Sequence, residues 1–374
     1  MRAAHFEGST GLTKPRPRVN ETEHSETLTK AKRHGLPSLS VVIPAFNAAG
    51  TLPATVIALL DDADVAGWRD VELVLVDDGS TDGTADCLQD AALRCRLTVV
   101  SQPNSGRFLA RQAGLERATG ELALLIDSRI TITPGSMPFL AQEVRSGRDV
   151  WNAHVVTQPS ASLPAHFWDG ITALAWRRYY RDPRHVELTH ENFEYYPKGT
   201  TLFVAPRQLL LDACSQFDTE VTDLRMANDD TLMLRPLLDH SVINLAPGFA
   251  CTYQARSSLP SFVRHSFHRG TVLVDGHDRP GSRFRLPIRI ALAAGPVAAV
   301  ASLRHPYWAV RAAVVASCGL GIASRIAGAE RRAGLSLGAL APMFGVSYYF
   351  GMVRGELVRY STRRRRRVES GDPA

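Results

Sequence analysis

The feature that most constrains the fold is an alternation. Between Leu39 and Asp127, short runs of β-branched and aliphatic residues take turns with helical stretches, and the runs end in loops. The strand-like runs are 39-LSVVIPAFN-47, 71-VELVLVDDGS-80, 97-LTVVSQ-102 and 121-ELALLID-127. Between them the spacing predicts helices at 51-TLPATVIALL-60, 84-TADCLQDAALR-94 and 107-RFLARQAGLERA-118. Strands alternating with helices specify an α/β fold with a mainly parallel, doubly wound sheet. Apolar runs this short and continuous suit strands buried on both faces.

The pattern loosens from about residue 135 to 250. Expected there are helices at 136–146, 166–180, 206–214 and 229–239, and strands near 149–156 and 200–205. From about 286 the composition shifts to Ala, Gly, Val and Leu. Two apolar runs, 290–303 and 312–324, are short for a bilayer, whereas 334–353 reaches roughly the 20 residues a crossing needs. Packed helices of a soluble subdomain are the alternative. The chain thus divides into a disordered arm (1–37), an α/β domain (38–284), an apolar helical region that packs on the domain or meets a membrane (285–360) and a basic tail (361–374).

Net charge is +6, and 363-RRRRR-367 supplies most of the excess. A run like this is either a solvated end or a contact for anionic lipid head groups. No aromatic-and-basic stripe accompanies it, so nucleic acid is not an expected partner. The five cysteines form no CxxC pair, which argues against a disulfide framework or a zinc site. No apolar run near the start reads as a signal peptide. The expected location is the cytoplasmic face of a membrane, through peripheral or integral C-terminal helices.

Ligands of a doubly wound sheet bind beyond the carboxyl ends of its strands. Three loops meet that description: 43-IPAFN-47, 77-DDGSTDGT-84 and 127-DSR-129. Ser80, Thr81 and Asp82 are good caps, and Gly79 and Gly83 suit tight turns. Capping needs one acid, however, and Asp77 and Asp78 stand together.

These motifs, with 103-PNSGRFLARQAGLERATGELALLID-127, resemble the inverting glycosyltransferase family 2 over about residues 39–270. The resemblance implies a GT-A fold and a nucleotide-diphosphate sugar donor. It also implies a glycan or lipid-linked acceptor near a membrane surface, as in bacterial members involved in cell-envelope polysaccharide synthesis. By position, Pro44 and Phe46 would line the nucleotide pocket, Asp78 would bind the nucleobase, and Asn104 and Gly106 would approach the sugar nucleotide. Arg107 and Arg111 are nearby cations that phosphate or solvent would engage. In 228-NDDTLMLRPL-237, Asp229 takes the catalytic base position by its spacing to Arg235, with Asn228 in place of the usual Glu. The same residues would also serve as a helix cap and as acids at the helix dipole.

Arg269 falls where processive members carry the Arg of a Gln-x-x-Arg-Trp motif. Ser266 and Gly270 replace the Gln and Trp, which argues against a processive synthase. Arg269 would instead help neutralise the departing diphosphate. At 127-DSR-129 the resemblance implies a metal, Mg²⁺ or Mn²⁺, held by Asp127 as the single carboxylate. The alternative is that Arg129 clamps the diphosphate. A sugar nucleotidyltransferase and a non-catalytic GT-A-fold binding protein are the rival functions.

Overall fold

A computed structural model describes residues 35–158, 162–255 and 257–370. The expected arm at 1–37 lies almost wholly outside them. The first half alternates as anticipated: β1 (Leu39–Ala45), α1 (Leu52–Ala66), β2 (Val71–Asp77), β3 (Arg96–Ser101), α2 (Arg107–Arg117) and β4 (Leu122–Ile126). It continues through β5 (Ile130–Ile132), α3 (Ser136–Arg145), β6 (Trp151–Thr157), α4 (Leu163–Ala175), α5 (Arg177–Tyr180) and β7 (Val186–Leu188). Then come β8 (Leu202–Pro206), α6 (Arg207–Ser215), α7 (Asp229–Leu234), β9 (Ile243–Tyr253) and α8 (Leu259–His277). Three long helices close the described chain: α9 (Arg285–Arg304), α10 (Pro306–Ile326) and α11 (Arg331–Ser370).

The described strands form one sheet in the order β3-β2-β1-β4-β8-β6-β9-β5, with β7 also on β9. β1 to β4 pair in parallel; β8 then runs antiparallel to β4, and the far half is mixed. β1, β2 and β4 are buried almost throughout, as strands covered on both faces require. The sheet is therefore a mixed one of GT-A type, less uniformly parallel than the alternation implied. β9 hides in the sequence because Pro247 and Gly248 read as a turn. They sit instead where the β6–β9 register shifts between Ala153 and His154, a bulge that tolerates both residues.

Two expected helices are corrected. Residues 84–94 form two single 3₁₀ turns rather than one helix. The Thr84 hydroxyl accepts from the Ala48 N–H at 2.8 Å and donates to Asp82, tying this segment to the first loop. The helix expected at 229–239 stops at Leu234, and Pro236, which has no N–H, leads into a 3₁₀ turn at 236–239.

α9, α10 and α11 are long and apolar enough to cross a membrane. On α9 only Ile288 is buried, while Leu286, Ile290, Val297, Val300 and Leu303 are exposed. Exposed apolar surface on this scale marks membrane association. α11 also grips the α/β body. A Cβ on Gly270 of α8 would collide with the Tyr348 carbonyl of α11, and Gly351 and Gly355 meet the Phe267 and Thr271 carbonyls as closely. Farther along, buried Arg359 pairs with Asp278 at 2.9 Å and with Glu220, and Arg363 pairs with Glu220 at 2.7 Å. The arginine run therefore begins inside α11, not in a separate tail.

Gly270 is thus required for packing: no side chain fits between the two backbones. Gly270→Trp should lower stability by about 1–3 kcal/mol or shift α11 outright. The denaturation midpoint of the detergent-solubilised protein checks this, and an unchanged midpoint contradicts the packing assignment.

Candidate active site

The three marked loops do lie side by side, and named hydrogen bonds join them. The Asn47 N–H donates to the Ser80 hydroxyl at 2.9 Å, and the Asn47 side-chain oxygen accepts from the Thr81 N–H at 2.9 Å. The Thr51 hydroxyl donates to the Ser128 carbonyl at 2.8 Å, and Thr55 to the Ile130 carbonyl at 2.6 Å. The start of α1 therefore anchors the 127-DSR-129 turn.

Asp77 and Asp78 divide their work. Asp77 accepts from the Ser80 N–H at 2.9 Å and closes the turn. Asp78 is buried and fastens the next loop: it accepts from Gln102 Nε2 at 2.7 Å, the Ser105 N–H at 2.8 Å and the Gly106 N–H at 2.9 Å. Gly79 and Gly106 both have positive φ. A Cβ on either would approach backbone atoms to 2.9 Å, Asn104 N for Gly79 and Arg225 Cα for Gly106. This brings Asp78, Asn104 and Gly106 together. Pro44 is buried in β1, while Phe46 lies half exposed at its end.

α2 starts directly after Gly106. Arg107 and Arg111 are four residues apart and so share a face. Arg107 donates to Asp229 Oδ1 at 2.9 Å. Arg111, fully buried, forks between Asp229 Oδ2 and Asp127 Oδ1, the latter at 2.8 Å. Both Asp229 oxygens are therefore held by guanidinium groups. Neighbouring Asp230 accepts on Oδ1 from the Thr200 N–H at 3.0 Å and the Thr200 hydroxyl at 2.6 Å. Burial alone would push the Asp230 carboxyl up, but Arg107, Arg111 and Thr200 outweigh it and hold it at about 2. Asn228 caps α7 by accepting from the Thr231 N–H at 3.1 Å.

The cluster thus unites Asp127 and Asp229 through Arg111, with Arg107 also on Asp229; by sequence both arginines are cations for phosphate or solvent, not partners of these acids. An arginine on a helix usually faces solvent, and the downstream partner of Arg111 lies more than a hundred residues away. The available signal was the pairing itself: two cations one helical turn apart at the ligand edge of the sheet. Arg129 contributes its backbone, since its carbonyl accepts from the Gln254 N–H at 3.0 Å. Among the described residues it has no carboxylate partner. Arg269 is not tied to the cluster; its guanidinium lies 5.7 Å above Trp168.

A divalent ion at Asp127 fits these residues poorly. Asp127 Oδ1 and the Ser128 carbonyl are already engaged, and Asp229 belongs to the arginines. Burial raises the Asp127 carboxyl above its ordinary value, against the pull of Arg111 and Arg107. Among the described residues no group of three or more His, Cys, Asp or Glu is arranged to hold a metal. GT-A folds are often metal-dependent, but this arrangement departs from the Mg²⁺ or Mn²⁺ site expected at Asp127.

Parts of the chain are similar to known proteins. Residues 40–200 match the model described as glycosyl transferase family 2. An undecaprenyl-phosphate 4-deoxy-4-formamido-L-arabinose transferase of Pseudomonas aeruginosa (strain LESB58) is 34% identical over 122 residues, covering 32% of this chain and 36% of that protein. The same-named protein of Serratia proteamaculans (strain 568) is 35% identical over 118 residues, covering 30% and 35%. The chain therefore spans little more than a third of the length of these relatives. Among solved structures, S. aureus TarS shares 17% identity over 87% of this chain and 91% of that chain, with a TM-score of 0.45.

Proposed function

We propose, from the match of residues 40–200 to the glycosyl transferase family 2 model, that the chain is an inverting, membrane-associated glycosyltransferase. It moves a sugar from a nucleotide-diphosphate donor to a lipid-linked or cell-surface glycan acceptor on the cytoplasmic face. The observation that carries this reading is the Asp127–Arg111–Asp229–Arg107 cluster at the carboxyl edge of the sheet. The two relatives, named for undecaprenyl phosphate and 4-deoxy-4-formamido-L-arabinose, point the same way.

The nucleotide lies against Pro44 and Phe46, with its base toward Asp78 and its sugar near Asn104 and Gly106. The diphosphate needs positive charge as the leaving group departs. Arg107 is half exposed and can turn to it, whereas buried Arg111 cannot leave. That turn uncovers Asp229 Oδ1, while Arg111 keeps Oδ2 in place and fixes the carboxylate's orientation. Asp229 then takes the proton of the acceptor hydroxyl as its oxygen attacks the anomeric carbon from behind. The bond from that carbon to the phosphate oxygen breaks, and its electron pair leaves on the nucleoside diphosphate. One base suffices for inversion. Arg129 stands ready at the same turn, without a carboxylate to hold it. The absence of the Trp at Gly270 fits a single-transfer enzyme.

We further propose that guanidinium groups, rather than Mg²⁺ or Mn²⁺ at Asp127, carry most of the leaving-group charge. A screen of UDP-, GDP- and TDP-sugars for released nucleoside diphosphate tests both points. Turnover of one donor, preserved in excess EDTA, is the expected result. Activity lost in EDTA and restored by Mn²⁺ would return the site to a metal. No release from any donor would favour the non-catalytic binding reading.

A further inference from the structure

A second cluster of charge lies beyond Thr200 and is used by no step above. Glu194, buried in the 3₁₀ turn at 193–195, is the acid at its centre. Arg235 pairs with it, and His277 Nδ1 lies 3.6 Å away. Lys198 Nζ donates to the Phe193 carbonyl at 2.6 Å and stands 4.3 Å from the Phe193 ring and 5.0 Å from that of Trp176. The Arg283 guanidinium lies 4.9 Å over Tyr195 and 5.5 Å from Trp176, and Arg178 lies 4.3 Å from the same Tyr195 ring.

Four cations thus converge on Trp176, Phe193 and Tyr195 with one carboxylate among them. The aromatic faces offset part of that repulsion. They leave the buried Nε of Arg283 without a hydrogen-bond acceptor. Burial, reinforced by Arg235 and Arg283 and opposed by Glu194 and Asp230, pulls the Lys198 ammonium down to about 8. Glu194 Oε2 and His277 Nδ1 are buried there without hydrogen-bond partners as well, so one carboxylate, engaged by Arg235, faces four cations. Cation–π packing explains how the cluster folds, but a buried unpaired donor is uncommon in a finished structure.

Position says which anion. Lys198 immediately precedes Gly199 and Thr200, and Thr200 holds Asp230 in the active site. Arg283 lies two residues before α9, the first helix long enough to cross a membrane. The cluster therefore sits between the candidate reaction centre and the start of the apolar region, where the phosphate of a membrane-resident molecule would meet the protein.

We propose that Lys198, Arg283, Arg235 and Arg178 form an anion pocket that takes the phosphate of a lipid-phosphate acceptor. Use of that phosphate in transfer rests on the glycosyltransferase reading; the pocket itself does not. Fluorescence titration of the full chain in dodecyl maltoside with decyl phosphate tests it, since Trp176 lies under two of the cations. Binding of decyl phosphate but not decanol is expected, with at least tenfold weaker binding in the double variant Lys198→Met, Arg283→Gln. Should that variant not fold, the exposed Arg178→Gln alone should weaken binding about threefold. Unchanged affinity in whichever variant folds, or equal binding of decanol, overturns the pocket. Competition by glucose 6-phosphate as strong as that of decyl phosphate overturns the lipid part and assigns a soluble phosphorylated glycan. Phosphate binding without donor turnover leaves the pocket standing and removes the glycosyl-transfer reading.

Discussion

Asp229→Asn should reduce sugar transfer by about 10²–10⁴-fold, the range that removal of a general base spans, while donor affinity changes little. Asn has the shape of Asp, and its amide oxygen still accepts from one arginine. It cannot take the acceptor's proton. Donor contacts fall on other residues, so titration calorimetry with the donor should show a dissociation constant within a few-fold of the parent. The neighbouring acid is the essential comparison. Asp230 has Oδ1 committed to Thr200 and is held at about 2, so Asp230→Asn should loosen the 199–200 loop and cost far less activity. If Asp230→Asn abolishes transfer and Asp229→Asn merely weakens it, the proton acceptor is Asp230. The comparison matters because both Asp229 oxygens are occupied by arginines. Its role as base depends on Arg107 turning toward the diphosphate. Arg107→Met should therefore raise KM for the donor more than it lowers kcat.

The parallel half of the sheet was legible because strands buried on both faces must be continuously apolar, and β1, β2 and β4 are. The ligand edge followed from that, along with the three loops at its rim. What escaped was non-local. Arg111 looks like a surface residue until Asp229 is brought to it by the antiparallel half of the sheet, which the alternation does not describe. Asp78 was assigned to a nucleobase by position alone; its engagement with Gln102, Ser105 and Gly106 is set by a loop some 25 residues on. The segment 84–94 buries Thr84, Leu88 and Ala91 at helical spacing, but hydrogen bonds of Thr84 to Ala48 and Asp82 fix its opening turn differently. Gly270 was noticed as a missing Trp, and only the crossing of α8 with α11 gives the physical reason for it.

Arg111→Met should be the most destabilising single change at the site. Met approximates the volume of the arginine stem, so the loss isolates charge and hydrogen bonding rather than a cavity. Asp229, almost fully buried, would keep only half-exposed Arg107, and Asp127 would lose its recorded partner. Removing one member of a buried ion pair costs about 3–5 kcal/mol because the other charge stays behind. The sign of the pH effect separates this from simple loss of packing. Without the guanidinium, burial and the neighbouring acids push the Asp127 carboxyl farther above its ordinary value. Groups raised in this way favour folding at low pH, and that contribution disappears as pH climbs through their folded values. The deficit of Arg111→Met relative to the parent should therefore be larger at pH 8 than at pH 5 in denaturant titrations. Arg111→Lys should recover only part of the loss, because one ammonium does not reproduce a fork between two carboxylates. A deficit below about 1 kcal/mol, or one that is the same at both pH values, would mean that the arginine contributes packing alone. In that case the Asp127–Arg111–Asp229 arrangement could not be what holds the candidate base in position.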